Sequence, residues 1–173
     1  MVIKKCNESM VQQVGAFYDK IVEWLDSTIN YPKWRYKEYP TGESVKIKVK
    51  EGSQYVCEED GKIIGAFVLN TDPQGNYAKG KWSKDVPLGE YMILHTLAID
   101  YKTQKKGLGT QVVQFCIDKA KKDGYKALRV DIVPGNIPAQ KLYEKNGFKY
   151  IGDEDLDRGF DDIPLFSLFE LNL

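Results

Sequence analysis

The chain has 173 residues, 42% of them hydrophobic and 29% charged, which is typical of a globular protein with one continuous core. The 25 basic and 25 acidic side chains balance, so no net field attracts nucleic acid or an anionic membrane. The sequence has no apolar run near the roughly 20 residues of a membrane span, no secretion signal and only three scattered cysteines. We therefore expect a single domain over residues 1–173, in the cytoplasm, with no metal, nucleic acid or membrane partner.

The first predicted elements are a strand and a long helix. Residues 2–6 are strand-like, and apolar side chains recur at helical spacing over residues 9–25. An aromatic segment over residues 24–39 follows, and it gives little support for a second helix. Over residues 45–49 the alternation Val-Lys-Ile-Lys-Val favours a strand, with a short helix as the alternative.

A hairpin and a series of alternating strands and helices follow. Residues 54–58 and 62–70 are predicted strands joined by a Glu-Asp-Gly turn, and a long loop covers residues 71–90. Later strands are predicted over residues 91–99, 127–133, 148–151 and 165–171. A helix follows the first of these strands, and a short helix begins at Asn136, a residue that can cap it. Strands that alternate with helices indicate α/β packing.

A basic, glycine-bearing turn follows the strand predicted over residues 91–99. It consists of Gln104, Lys105, Lys106, Gly107, Leu108, Gly109 and Thr110. The first amides of a helix have no partner inside it, and the helix dipole adds positive charge there. Glycines let a pyrophosphate approach the backbone, and the two lysines add charge. The turn therefore predicts a phosphate-binding site, although it could also serve only to close a strand–helix connection.

Two other phosphate-binding motifs fit this turn less well. A P-loop needs a Lys-Ser/Thr pair after its last glycine, whereas Thr110 and Gln111 follow Gly109. A dinucleotide fingerprint needs Gly or Ala where Val112 stands. Asp131 lies about 20 residues on, where such folds keep a ribose-binding acid, so a nucleotide-binding interpretation stays open.

A second motif downstream carries a family resemblance. Its residues are Asn136, Ala139, Leu142, Tyr143, Gly147 and Phe148. Together with Gln104, Gly107 and Gly109, this motif resembles the GNAT superfamily of N-acetyltransferases over roughly residues 60–152. The resemblance implies an α/β (α+β) fold with a mixed central sheet, about six to seven strands flanked by helices, and splayed central strands at the cofactor site. It also implies transfer of an acetyl group from acetyl-CoA to a primary amine by direct attack.

The resemblance assigns roles to residues on the strand and on the short helix. Main-chain atoms of Leu97, Ala98 and Ile99 would bind the amide groups of pantetheine, and the basic turn would bind the pyrophosphate. Tyr143 would donate a proton to the departing sulfur, which a positioned hydroxyl can do. Alternatively, Tyr143 only packs its ring and bonds to the cofactor. Asn136 would contact the cofactor or the loop, or would only cap its helix.

The general base is less clearly indicated. His95 is the only histidine, and its ordinary pKa near 6.5 suits removal of a proton from an ammonium group. Strand alternation places His95 with Ile93, Leu97 and Ile99, which favours a packing role over that of a base. Glu90 and Asp131 are weaker candidates, and the resemblance also permits a water chain in place of a dedicated base.

The acceptor is not specified by the sequence. The aromatic residues Trp24, Tyr31 and Trp34 fall where the family builds its acceptor wall, although they equally suit a covered hydrophobic core. The acidic residues between 153 and 162 are best interpreted as solvated turns. The acceptor is either a small-molecule amine or a peptide, as in a protein N-terminal or lysine acetyltransferase. A non-enzymatic CoA- or nucleotide-binding module is the remaining alternative, and the resemblance is compatible with a homodimer.

Overall fold

The computed structural model describes residues 1–103 and 107–173. Within these residues the strands are β1 (Val2–Lys5), β2 (Gln54–Glu59), β3 (Lys62–Asn70), β4 (Tyr91–Ile99), β5 (Ala127–Ile132), β6 (Lys149–Glu154) and β7 (Phe166–Asn172). The α-helices are α1 (Val11–Asp26), α2 (Gly42–Lys50), α3 (Leu108–Lys122) and α4 (Ile137–Lys145).

The strands form one mixed sheet in the order β1-β2-β3-β4-β5-β7-β6. Strands β4 and β5 run parallel, whereas β1–β2, β2–β3, β5–β7 and β6–β7 pair antiparallel. The predicted mixed α/β sheet is therefore confirmed. The chain divides into two compact units: the first unit comprises residues 1–69 and 95–112, and the second comprises residues 70–94 and 113–173.

The first unit contains the predicted hairpin and a core between strands and helices. Asp60 and Gly61 have φ angles of 50° and 72°, as a tight hairpin turn requires. Helix α1 buries Val14, Tyr18 and Val22 at helical spacing. Side chains of β2, β3 and α2 pack into the same core. Burial of this apolar face is what holds the helices on the strands.

Helix α2 replaces the strand predicted over residues 45–49. Its Thr41 side chain accepts a hydrogen bond from the Ser44 amide, and the Ser44 hydroxyl accepts one from the Thr41 amide. This reciprocal pair forms a capping box at the start of the helix. Val45 and Val49, four residues apart, are buried on one face, whereas Ile47 is 47% exposed. The strand interpretation was wrong because alternate apolar positions also include an i, i+4 pair.

The second unit contains β5, β6, β7 and the loop predicted over residues 71–90. The core of this unit includes Ile93 and Leu168, both fully buried. The loop carries one short 3-10 turn, Tyr77–Lys79. The Tyr77 ring stacks on Tyr91 with centroids 6.3 Å apart, so the loop packs on the strand.

Further features of residues 1–103 and 107–173 concern the cysteines, the metal-ligating types of side chain and the helices. Cys6, Cys57 and Cys116 are buried and form no disulfide. Across residues 1–103 and 107–173, three or more His, Cys, Asp or Glu side chains nowhere gather in a way that could hold a metal ion. Within the same ranges, every helix is too short or too polar to cross a membrane.

Candidate active site

Strand β4 carries the main-chain groups predicted to bind the cofactor. Its parallel pairing with β5 runs from Tyr91 opposite Ala127 to Ile93 opposite Arg129. Further along the strand, Ala98 is 5% exposed and packs into the core of the first unit. Ala98 and Ile99 lie beside Gly65 of β3. A Cβ added to Gly65 would stand 3.0 Å from the Ile99 Cδ1 and 3.3 Å from the Ala98 carbonyl oxygen.

Thr96 of β4 has an unusual backbone. Its φ angle is +51°, which is the left-handed region and uncommon for a β-branched residue. The Thr96 carbonyl accepts a hydrogen bond of 2.9 Å from the hydroxyl of Tyr18. The Thr96 hydroxyl is hydrogen-bonded to the hydroxyl of Tyr39. A strained residue of this kind persists only when its surroundings hold it.

The turn that follows β4 is described in part. Gln104, Lys105 and Lys106, three of the predicted phosphate ligands, lie outside the described residues. Gly107 is exposed with a φ angle of +72°, and no atom lies within 4 Å of the place where its Cβ would stand. The Gln111 amide donates to the Gly107 carbonyl over 3.1 Å, which is the first helical bond of α3.

The first turn of α3 follows the glycine-bearing turn directly. Leu108 is buried, whereas Gly109 and Thr110 are half-buried. By helix geometry, the amides of these three residues precede the first intrahelical donor. Their N–H groups and the helix dipole together favour a negative charge at this end.

Two contacts from α1 anchor the chain immediately after β4. Lys20 donates to the Asp100 carboxylate over 2.6 Å. Burial raises the pKa of the Asp100 carboxyl, but the hydrogen bonds from Lys20 and from the Lys102 amide outweigh it, so the net pKa is lowered. Trp24, predicted as part of the acceptor wall, stacks on Tyr101 with ring centroids 4.9 Å apart.

The other predicted acceptor residues are half-buried. Tyr31 and Trp34 lie between α1 and α2 in the chain. The Trp34 amide donates to the Asn30 side chain over 3.1 Å, and the Asn30 amide group donates back to the Trp34 carbonyl over 2.6 Å. Trp24 and Trp34 also pack against the core of the first unit. These rings therefore combine core packing with a partly exposed surface.

Helix α4 positions the two residues of the downstream motif. The Asn136 side chain accepts a hydrogen bond of 3.3 Å from the Ala139 amide, so it caps the helix. Tyr143, seven residues on, is 5% exposed. Its ring lies 5.4 Å from that of Phe148 and 6.4 Å from that of Phe169. Within residues 1–103 and 107–173 the Tyr143 hydroxyl has no hydrogen-bond partner.

The protonation state of Tyr143 follows from its surroundings. Burial raises the pKa of this phenol above its ordinary value, and the nearby Cys116 and Asp131 raise it further. The hydroxyl therefore keeps its proton across the neutral range. A protonated hydroxyl with no partner in the described part of the chain is suited to donate to a group that gains negative charge.

The candidate bases His95 and Asp131 have different surroundings. His95 is half-buried on β4, next to the left-handed Thr96. Asp131 is paired with Arg158 through two hydrogen bonds of 2.7 and 2.8 Å, and it also accepts from the Tyr77 hydroxyl over 2.5 Å. A carboxylate so occupied is poorly suited to remove a proton from a substrate, because its lone pairs are already engaged.

The acidic segment near the end of the chain is more than a solvated turn. Asp157 pairs with Lys79, and it accepts from the Asn76 amide group over 2.9 Å. The segment lines a surface cavity of about 380 Å³ together with Arg158, Phe160 and Phe166. Asp157 therefore links this segment to Asn76 and Lys79 of the loop before β4.

Comparison with known proteins decides the family. Residues 18–148, most of the chain, match the acetyltransferase (GNAT) family. The chain belongs to this family. The match begins at Tyr18, within α1, and ends at Phe148, after α4.

Several relatives are similar to this chain in sequence, and several solved structures share its fold. The S-(2-succino)cysteine N-acetyltransferase of Bacillus subtilis is 30% identical over 115 residues, which cover 64% of this chain and 63% of that protein. The chain spans 42% and 50% of two further N-acetyltransferase relatives, from Methanocaldococcus jannaschii and B. subtilis. A GNAT acetyltransferase of Streptococcus agalactiae superimposes with a TM-score of 0.80 at 19% identity, covering 99% of this chain and 95% of that one.

A structure solved with acetyl-CoA is also similar. It is yncA of Salmonella typhimurium, with a TM-score of 0.68 and 18% identity, and the match covers 100% of this chain and 94% of that one. At this identity the likeness establishes a shared fold. The GNAT fold inferred from the two sequence motifs is therefore confirmed.

The sequence did not reveal the contacts around Thr96 in this GNAT chain. Tyr18 lies in the pattern of α1 core positions, and Tyr39 lies among many aromatic residues, so neither stood out. Their joint contact with Thr96 spans 78 and 57 residues of chain. A hydroxyl at an otherwise apolar helix position is the one local signal that could have pointed to Tyr18.

Proposed function

We propose that this chain is an N-acetyltransferase that moves an acetyl group from acetyl-CoA to a primary amine by direct attack. The hydroxyl of Tyr143 carries the proposal, because it is protonated and has no partner within residues 1–103 and 107–173. Membership of the acetyltransferase family supports acetyl-CoA as the donor. A module that only binds CoA does not need the Tyr143 hydroxyl as a proton donor.

The residues present fit the proposed cofactor. The open space beside Gly107 leaves the backbone accessible to a bulky anion. The first-turn amides of Leu108, Gly109 and Thr110 would hold the pyrophosphate. Gln104, Lys105 and Lys106 would add side-chain contacts, and main-chain groups of Leu97, Ala98 and Ile99 would bind pantetheine. Asn136 uses its oxygen as a cap, which leaves its NH₂ group as the part able to reach a ligand.

The proposed reaction needs few chemical groups from the protein. Acetyl-CoA, when bound, supplies the acetyl thioester. The chain orients the amine against the carbonyl carbon, which can lower the barrier more than any single acid or base. The amine nitrogen would bond to the acetyl carbon as the carbon–sulfur bond breaks, and Tyr143 would donate its phenolic proton to the sulfur and regain one from solvent. His95, a water chain or bulk solvent takes the proton that the amine loses.

Cofactor binding is the first test. We expect acetyl-CoA at 100 times its dissociation constant to stabilise the fold by about 2.7 kcal/mol, and NAD or ATP to leave it unchanged. Gly109→Glu should abolish the effect of acetyl-CoA by placing a carboxylate in the anion site. Gly42→Glu is the matched control, since it adds the same group at the start of α2, where no atom lies within 4 Å of the Cβ position. Stabilisation by NAD but not by acetyl-CoA would contradict the proposal.

An acceptor screen is the second test. Release of free CoA thiol would be measured with polyamines, aminoglycosides, amino acids and peptides as acceptors. S-(2-succino)cysteine belongs in the set because the B. subtilis relative at 30% identity is named for it. Turnover with a peptide acceptor, but not with any small-molecule amine, would favour protein acetylation. Binding of acetyl-CoA without turnover on any acceptor would favour a non-enzymatic module.

A further inference from the structure

The strained residue in β4 lies directly before the main chain assigned to the cofactor. Thr96 has a φ angle of +51°, and Leu97, Ala98 and Ile99 follow it. A β-branched residue disfavours this conformation, because its Cβ crowds the backbone. Since the peptide planes after Thr96 depend on its dihedral angles, this residue sets the direction in which the next amides and carbonyls point.

Two tyrosines hold Thr96 by different atoms. Tyr18, on α1, donates to its main-chain carbonyl over 2.9 Å. Tyr39, in the segment before α2, is hydrogen-bonded to its side-chain hydroxyl. The first contact constrains the peptide that links Thr96 to Leu97, and the second constrains the side chain. Together they provide the external support that a left-handed threonine needs.

The two tyrosines are themselves fixed. Tyr18 is 1% exposed, and its hydroxyl lies 3.5 Å from the Gln54 amide nitrogen. The Trp34 ring meets Tyr18 edge-on at 6.1 Å and Tyr39 edge-on at 6.5 Å. Edge-to-face packing of this kind restricts the rings. The support of Thr96 is thus one connected cluster, built from α1 and from the aromatic segment.

We infer that Tyr18 and Tyr39 are positioning residues that hold Thr96 in its left-handed conformation and thereby set the Leu97–Ile99 backbone for the cofactor. The inference rests on the proposed function, because it needs that backbone to bind acetyl-CoA. It also gives the aromatic segment a role besides that of an acceptor wall. The tyrosine hydroxyls act through Thr96 and do not themselves touch the reacting atoms.

The test measures acetyl-CoA affinity in variants that remove one hydroxyl each. We expect Tyr18→Phe and Tyr39→Phe each to weaken acetyl-CoA binding about three- to tenfold, which is the effect of one lost neutral hydrogen bond. Calorimetry would give the dissociation constant. Tyr150→Phe is the matched control, since it removes an exposed hydroxyl that donates to Asp153, and it should leave affinity unchanged.

A glycine at position 96 separates positioning from simple stabilisation. Glycine adopts positive φ without steric cost, so Thr96→Gly should keep wild-type affinity without the tyrosine contacts. In the double variant Tyr18→Phe/Thr96→Gly, we expect affinity within about twofold of wild type. A purely structural role of Tyr18 would instead make the double variant weaker than either single one.

The outcomes distinguish a failure of the proposed function from a failure of the inference about Tyr18 and Tyr39. If wild-type protein does not bind acetyl-CoA, the proposed function and this inference both fail. If wild-type protein binds and both phenylalanine variants bind equally well, the inference alone fails. It also fails if affinity is lost in Tyr18→Phe and is not restored by Thr96→Gly. Should Tyr18→Phe not fold, the same comparison is made with Tyr39→Phe and its double variant.

Discussion

The guanidinium of Arg129 and the carboxylate of Glu170 form an ion pair of 3.1 Å in which neither side chain is more than 2% exposed. These residues stand opposite each other on the paired strands β5 and β7. The Trp82 and Tyr91 rings each contact the guanidinium, with their centroids 4.0 and 4.1 Å from its carbon. Ser83 donates to the same carboxylate through its amide and its hydroxyl. The pair therefore joins the loop before β4 to the centre of the second unit.

Removing one partner of this pair should be costly. Glu170→Gln keeps the shape of the side chain but leaves the Arg129 charge buried and unpaired, so we expect the free energy of unfolding to fall by about 3–5 kcal/mol. Urea denaturation would measure it. Asp123→Asn is the control, because it breaks the surface pair with Lys119 and should cost less than about 0.5 kcal/mol. Similar losses of unfolding free energy in Glu170→Gln and Asp123→Asn would mean that burial does not make the Arg129–Glu170 pair more costly to break.

Most strands were predictable because their signals are local. Strand β4 was predicted with the bounds that the structure has, and β3 likewise, since runs of apolar residues end at clear turn residues. Helix α2 was predicted only as the alternative to a strand, because its alternating valines fit two periods and the capping pair of Thr41 and Ser44 decided between them. A capping box with serine in place of the usual acid is a weak signal in the sequence.

The candidate site was predictable only in part. The positions of Asn136 and Tyr143 on a short helix followed from the motif, and the capping by Asn136 was one of the two alternatives considered. The left-handed conformation of Thr96 could not be predicted. It depends on hydroxyls that lie far away in the chain, and nothing in the residues next to Thr96 marks it.

The ion pair of Lys20 and Asp100 predicts a dependence of stability on pH. Because the pKa of Asp100 is lowered in the folded state, its contribution is present above the unfolded pKa of about 3.9 and is lost as pH falls through the folded value. We expect Asp100→Asn to lower the free energy of unfolding by about 1 kcal/mol at pH 7. The difference from wild type should shrink below about pH 4.

Urea denaturation of both proteins between pH 7 and the acid range would measure this difference. Asp118→Asn, which removes an exposed carboxylate that accepts from Gln114, is the control and should show little effect. A difference that stays constant with pH would mean that the Asp100 carboxylate is not favoured in the folded state.

Gly65 should not tolerate a side chain. A Cβ there would lie 3.0 Å from the Ile99 Cδ1, 3.2 Å from the Cys57 sulfur and 3.3 Å from the Ala98 oxygen. Since the end of Ile99 can move but the Ala98 carbonyl belongs to the backbone, Gly65→Ala should cost about 1–3 kcal/mol of stability. Thermal or urea unfolding measures it, with Gly42→Ala, where the Cβ meets nothing within 4 Å, as the tolerated control. If the stability of Gly65→Ala equalled that of the wild type, β4 would have to move away from β3 at little cost.

Tyr143→Phe should lower turnover far more than it weakens acetyl-CoA binding. The ring contacts with Phe148 and Phe169 survive, and the lost hydroxyl had no partner within residues 1–103 and 107–173, so folding should be nearly unaffected. General acid catalysis is typically worth about 10²–10⁴-fold in rate. Because a thiolate leaves fairly well unaided, we expect a loss near 10²-fold.

The pH dependence of turnover gives a second measure of the same role. Burial raises the pKa of Tyr143, so its deprotonation should not limit turnover of the wild type below about pH 10. Any fall on the acid side then reports a group other than Tyr143, such as the acceptor amine, and it should persist in Tyr143→Phe at a lower rate. Tyr150→Phe, with an exposed hydroxyl, should match the wild type at every pH. If Tyr143→Phe turned over as fast as the wild type across this range, the leaving sulfur would have to obtain its proton from another group.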